Sequence, residues 1–419
     1  MSDYIFTNVL VFDGSGEALF PADVRICGNR IAAITLPGCG GEGVEVIDGN
    51  GGTLMPGLIE SHAHFDFGSS LGKIPDNPFK LSPSERMLCA VYAARTLLDY
   101  GYTSAYSAGC FKDVRAEVAL RKEIEQGRIP GPRMKACSSQ WMPALASPDS
   151  APFGIIDRAE RSPDPASARA HVLEMAEAGV DVIKFGLNGE SGLIHGTTCT
   201  PMFYEEEFEV AMQAVRDVGL EASAHAYTDE AVRMALRHGV RTLYHCAFMK
   251  ASTLKWLGEK RNDVFIAPGP GILWATVYEA EAFGLTLDEI EKMEAAVTLE
   301  RTRSVIPQLR ALGVRVLPGG DYGFPWNPIG RNARDLSLFV SEYGYTAAEA
   351  LHAATALGGQ LMGMENELGM IRVGYLADLL LIDGNPLQDL AILQSPERLR
   401  VIVKDGVFHK NQVISTVLV

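Results

Sequence analysis

Pro56-Gly57-Leu58-Ile59-Glu60-Ser61-His62-Ala63-His64 joins an apolar, strand-forming start to a His-x-His end. On an extended chain alternate side chains share a face, so His62 and His64 aim at one point beyond the strand end. Outward from this segment, apolar strand candidates recur at Leu54–Ile59, Thr103–Ser107, Arg133–Ser138, Val180–Phe185, Glu221–His225, Thr242–His245, Val264–Ala267 and Val314–Gly319. Helical stretches alternate with them at Ser84–Tyr100, Val114–Gln126, Ser167–Ala178, Tyr204–Val218, Asp229–Arg237 and Leu287–Leu312. Glycines 101, 179, 219, 239 and 313 stop the helices just before a strand. Eight such repeats without a Gly-rich phosphate loop after the first strand predict an α/β fold, a (β/α)8 TIM barrel rather than an open sheet.

Both ends of the chain read differently. Tyr4–Phe12, Ala22–Ile26, Arg30–Thr35 and Val44–Ile47 are short strand candidates, as are Ala377–Ile382, Leu399–Lys404 and Val407–Lys410. Together they predict a small β-sandwich built from both termini. The expected division is 1–54 plus 368–419 for the composite sandwich and 55–367 for the barrel.

The 419 residues accommodate one barrel and an accessory domain, and 47% hydrophobic residues supply a large core. The net charge of −15 argues against nucleic acid or an anionic membrane as the partner. No apolar run reaches about 18 residues, and the first residues lack a signal-peptide pattern. Seven cysteines form no CxxC pair, which suits reduced thiols and a cytoplasmic setting. A homo-oligomer is expected from the acidic, soluble character, although no segment marks an interface.

Several polar residues close predicted barrel strands, where barrel enzymes keep their catalytic groups. Lys184 ends Asp181-Val182-Ile183-Lys184, His225 ends Ala222-Ser223-Ala224-His225, His245 ends Leu243-Tyr244-His245, and Asp321 follows Gly319-Gly320. A buried lysine is costly unless paired or neutralised. Lys184 is therefore either a salt-bridged barrel residue or a lysine carboxylated by CO2 whose new carboxylate bridges metals.

The set His62, His64, Lys184, His225, His245 and Asp321 resembles the binuclear amidohydrolase superfamily, strand by strand. The resemblance is to its prolidase-like and imidazolonepropionase-like branch, with ochratoxin-, phenylurea- and thiocarbamate-hydrolysing relatives. Val373-Gly374-Tyr375-Leu376-Ala377-Asp378-Leu379 and Val403-Lys404-Asp405-Gly406 look like the closing domain of that family. The resemblance implies one metal on His62, His64 and Asp321, a second on His225 and His245, and carboxylated Lys184 between them. Imidazole and carboxylate ligands point to two divalent ions, Zn2+ first, with Co2+ or Mn2+ as substitutes. The implied reaction is hydrolysis of an amide-type C–N bond by a metal-bridging hydroxide, with Asp321 as general acid and base and Lys184 as the catalytic bridge.

His225-Ala226-Tyr227 resembles the prolidase-like group, in which the tyrosine holds a substrate carboxylate; Tyr227 takes that role by carry-over. The sequence departs from the pattern after the third strand. Cys137-Ser138-Ser139-Gln140-Trp141-Met142 offers no histidine, leaving Gln140 as the donor to a carbonyl. His195, in the Gly-rich loop after Lys184, and Trp274, after the seventh strand, complete the expected substrate contacts. Aromatic segments 268–274 and 322–328 point to a hydrophobic substrate group. The first expectation is an N-acyl amino acid or dipeptide-like small molecule. The alternative is a neutral aromatic amide, carbamate or urea. A deaminase fits less well, because Lys184 is present and His238 and His245 do not complete a deaminase pattern. A metal-free scaffold fits poorly with a ligand set that shows no gap.

Overall fold

The computed structural model describes residues 3–39, 43–68, 81–111, 113–144, 161–190, 192, 195–413 and 415–417. The N-terminal strands are β1 (Asp3–Val11), β2 (Phe20–Cys27), β3 (Arg30–Thr35), β4 (Glu45–Asp48) and β5 (Thr53–Pro56). β1 pairs antiparallel with β2, runs parallel to β4 over Tyr4–Thr7, and then parallel to β5 at Leu10 and Val11. The change of neighbour falls at a bulge between Phe6 and Val9, where Asn8 takes φ 53, a conformation asparagine tolerates. One strand thereby pairs with β2, β4 and β5 within a single nine-stranded sheet.

The barrel strands follow as β6 (Leu58–Ala63), β7 (Tyr102–Ser107), β8 (Arg133–Lys135), β9 (Val182–Gly186), β10 (Glu221–Thr228), β11 (Thr242–Phe248), β12 (Phe265–Ala267) and β13 (Arg315–Val316). All neighbouring pairs are parallel: β6-β7-β8 in one group and β9-β10-β11-β12-β13 in the other. Two seams join the groups. At one, Cys137 bridges Val182 and the Ser138 amide donates to the Val182 carbonyl at 2.9 Å. At the other, Ala63 bridges Tyr322, and the His64 amide donates to the Tyr322 carbonyl at 2.6 Å. The fold is a TIM barrel with a terminal β-sandwich.

The chain returns to the sandwich through β14 (Leu379–Ile382), β15 (Leu399–Lys404), β16 (Val407–Asn411) and β17 (Ser415–Val417). β5 pairs antiparallel with β14, β14 with β15, β15 with β16, and β17 with β4. Successive residues of β14 and β15 serve different cores. Leu379, Leu381, Val401 and Val403 pack inside the sandwich, while Leu380, Ile382 and Ile402 pack on the barrel. A sheet buried on both faces reads as an unbroken apolar run, as in Leu379-Leu380-Leu381-Ile382.

Two expectations need correction. Leu54–Ile59 is not one barrel strand; it is β5 and β6, broken at Gly57. Gly57 donates to the Asp378 carbonyl at 2.8 Å, and a Cβ there would lie 2.1 Å from the Thr103 hydroxyl. The stretch Leu287–Leu312 is two helices, Leu287–Lys292 and Ala295–Ala311, separated where Glu294 takes φ 57. The segment after the seventh strand is a helix, Pro270–Tyr278, with Pro270 in its first turn. The glycine stops hold: Gly179 (φ 92) and Gly239 (φ 79) are left-handed C-caps. Among the described residues no helix is long and apolar enough to cross a membrane.

Candidate metal centre

His62 and His64 leave β6 on one side, and both reach the Asp321 Oδ1, with Nε2 at 3.4 Å and 3.1 Å respectively. The backbone at this point is held by acids and amides. Glu60 accepts from the His62 amide at 2.7 Å and from the Asn332 side chain at 2.6 Å. Burial pushes the Glu60 carboxyl up to about 7. The His64 Nδ1 lies 2.7 Å from the Gly109 carbonyl. A carbonyl only accepts, so Nδ1 carries the proton and Nε2 presents a lone pair to Asp321.

Lys184 sits inside β9, 1% exposed, with Nζ 3.7 Å over the Tyr244 ring. That ring stacks on His62 at 3.9 Å. Burial holds the Lys184 amine down at about 8, so a fraction of it is uncharged near neutrality. His225 projects from β10 and His245 from β11, their rings 4.5 Å apart. Burial, with the Lys184 charge, pulls His225 down to about 3, and burial takes His245 well below its ordinary value. Both are neutral, the form that binds metal. His245 (φ 73), Cys246 (φ 55) and Asp321 (φ 59) all have left-handed backbone, sparsely populated conformations found at functional sites.

The donors form two overlapping groups: His62, His245 and Asp321, and Glu190, His225 and His245, each with ligand atoms within 4.8 Å. His62 Nδ1, both His245 ring nitrogens and Asp321 Oδ1 are buried without a hydrogen-bond partner among the described residues. Unsatisfied lone pairs converging in a buried space are costly by themselves. Cations between neutral imidazoles and carboxylates satisfy them, and the donor set fits divalent metals.

The structure brings the six expected ligands to one cavity of about 650 Å³, together with Gln140. Gln140 Nε2 contacts the Met142 sulfur at 3.6 Å. Tyr227 is buried beside the centre, its ring stacked on His245 at 4.4 Å. The other two expected contacts lie elsewhere. His195 is exposed on its loop. Trp274 packs outward against Tyr278 at 4.4 Å and the Leu273, Ala295 and Leu299 cluster, because its segment is helical. Sequence reading passed over Glu190, which the loop after β9 folds back against His225; its signal was a lone acid among glycines, six residues beyond Lys184.

Phe67, Phe111 and Phe324 line the metal cavity and also a second chamber, which adds Arg86, Leu285, Glu289, Met293, Pro325 and Trp326. Phe67 stacks on His64 at 4.2 Å and meets Phe324 edge to face at 5.3 Å. Trp326 is fixed by donation to the Thr276 hydroxyl at 2.9 Å. A largely aromatic room with Arg86 and Glu289 in its wall thus adjoins the donor cluster.

Residues 53–408 match the model of the Amidohydrolase family, and the chain belongs to that family. It is similar to ochratoxinase from Aspergillus niger, 26% identical over 394 residues, covering 85% of this chain and 75% of the relative. It is also similar to imidazolonepropionase from Rubrobacter xylanophilus, 26% identical over 433 residues, covering 94% and 92%. The solved structure of a Xaa-Pro dipeptidase with bound methionine superposes with a TM-score of 0.84 at 23% identity, covering 98% of this chain and all of that one. The protein is an enzyme acting on C–N bonds of small molecules, and its family generally uses a binuclear metal centre.

Proposed function

We propose that this enzyme hydrolyses an amide-type bond in a substrate that lodges a bulky aromatic group in the outer chamber. An N-acyl amino acid or dipeptide-like compound is the first choice. The observation that carries this reading is the chamber walled by Phe67, Phe111, Phe324 and Trp326, directly adjoining the cluster of metal donors.

In this reading His62, His64 and Asp321 would hold one ion, and His225 and His245 would hold the other. Lys184, as the free amine, would react with CO2, forming an N–C bond and releasing a proton, and the resulting carboxylate would serve as a ligand available to both ions. The metals, when bound, polarise the scissile carbonyl and activate a water, and zinc is the metal the donors suit best. Asp321 takes the proton of the attacking water and delivers it to the leaving nitrogen, so an acid and an amine are released. Gln140, at the cavity wall, donates to the carbonyl oxygen in place of a histidine. Tyr227, beside His245, orients the leaving group. The aromatic walls exclude water around the reacting bond.

A second reading keeps the chemistry and changes the leaving group to a neutral aromatic amide, carbamate or urea. It is favoured by Phe67, Phe111, Phe324 and Met142, which give the metal cavity a broad apolar side. A hydrolysis panel on metal-quantified protein separates the two, comparing N-acyl amino acids and dipeptides with anilides, carbamates and ureas of similar size. Faster turnover of substrates with a free carboxylate supports the first. Turnover confined to the neutral set replaces it with the second, and no hydrolysis of either set ends both. Reduced cysteines and a cytoplasmic setting belong to the same proposal, supported by seven free thiols.

A further inference from the structure

Two histidine–carboxylate contacts flank the centre, and they are built alike. At His64 the Gly109 carbonyl, 2.7 Å from Nδ1, fixes the proton there and leaves Nε2 as a lone pair 3.1 Å from Asp321 Oδ1. His225 repeats the arrangement with its nitrogens exchanged. Its Nε2 lies 3.1 Å from the Gly189 carbonyl, so that nitrogen holds the proton. Its Nδ1 then presents a lone pair to the Glu190 Oε2, also at 3.1 Å. Two acceptors that close repel unless a metal ion or a proton sits between them, and the convergence of Glu190, His225 and His245 on one point favours the ion.

The geometry points to Glu190 as a carboxylate ligand of the second metal ion, the counterpart at His225 of Asp321 at His64. This rests on the binuclear reading above and adds a ligand to it. His245, both ring nitrogens unpartnered, stands within the same group of donors as Glu190 and His225. The loop is fastened where Glu190 needs it. Gly189 donates to the Thr200 carbonyl at 2.9 Å, and a Cβ on Gly189 would meet the Thr197 carbonyl at 2.3 Å. Asn188 accepts from the amides of Tyr227 at 2.8 Å and Thr228 at 3.1 Å, locking this loop to the strand that carries His225. Each ion thereby has a carboxylate of its own besides the shared bridge. Three protein carboxylates face the four positive charges of two divalent ions.

The test is a Co2+ titration of the chelator-stripped chain, followed by calorimetry and visible absorption, with bound metal counted after gel filtration. Wild-type protein is expected to take two ions. Glu190→Gln is expected to keep the first affinity and weaken the second at least roughly tenfold, with a changed Co2+ spectrum. An unchanged second affinity and spectrum overturn the assignment and make Glu190 a protonated hydrogen-bond partner of His225. If Gln disturbs folding, Glu190→Asp decides, since its shortened carboxylate weakens only the second ion if Glu190 is a ligand. Equal binding in Glu190→Asp overturns the proposal. Wild-type protein that saturates below two ions removes the binuclear reading itself, a failure visible without any variant.

Discussion

Lys184 is fully buried, so its free amine is favoured more than on a surface lysine, even though its Nζ lies over the Tyr244 ring. If its carboxylate spans the ions, Lys184→Ala removes a ligand from both. The expected result is less than two ions per chain by mass spectrometry and turnover near background; two ions with full turnover would sink the carboxylated-lysine proposal. Asp321→Asn keeps the shape and one donor oxygen but loses the base. Its kcat is expected to fall by about 10²–10⁴ while most metal stays bound, and near-normal kcat would assign the proton to another group. Away from the centre, Glu117 accepts from the Cys137 amide at 2.8 Å, and burial pushes its carboxyl up to about 8 from an ordinary 4.5. Between those values the folded chain holds a proton the unfolded chain has lost. This group therefore lowers stability as pH rises from 4.5 to about 8 and adds no further loss above that. Glu117→Gln should shrink the drop in thermal midpoint between pH 5 and pH 8; an identical drop means Glu117 is already ionised.

At the scale of strands and loops, close approach is made possible by missing side chains. A Cβ on Gly319, just after β13, would lie 2.3 Å from the Ser61 hydroxyl and 2.9 Å from the His62 Cβ. Gly319→Ala is expected to cost roughly 1–3 kcal/mol of stability and, by displacing His62, to weaken metal binding. A denaturation midpoint and metal affinity both equal to wild type would contradict it. The cluster of donors was legible because histidines are few and close the predicted strands, and the family resemblance supplied their grouping. Glu190 was not, because the course of its loop depends on contacts with Thr197 and Thr200 further along the same loop and with Tyr227 on the following strand. The break at Gly57 was hidden for a related reason: β5 and β6 are both fully buried, so no polar residue marks where one sheet ends and the next begins. Trp274 was misplaced although Pro270 was a readable helix start.

For the whole molecule, sandwich and barrel are joined by charge as well as by apolar contact. Arg133 on β8 donates to Asp378 at 2.6 Å and to Asp405 beyond it, and the Asp378 side chain is only 3% exposed. Arg133→Ala strands that carboxylate, at a cost of about 3 kcal/mol, read as a lower chemical-denaturation midpoint with metal content unchanged. Adding Asp378→Asn should restore part of the loss, and no restoration would mean the arginine acts through packing. The composite nature of this sheet was legible from matching apolar runs at the two ends, whereas which face of Leu379–Ile382 meets the barrel required coordinates. The left-handed backbone at His245 and Asp321 has a consequence for transplanting the centre. Copying six side chains onto another eight-stranded scaffold with ordinary extended strand ends would point two of them astray, so the portable unit is each residue together with its turn.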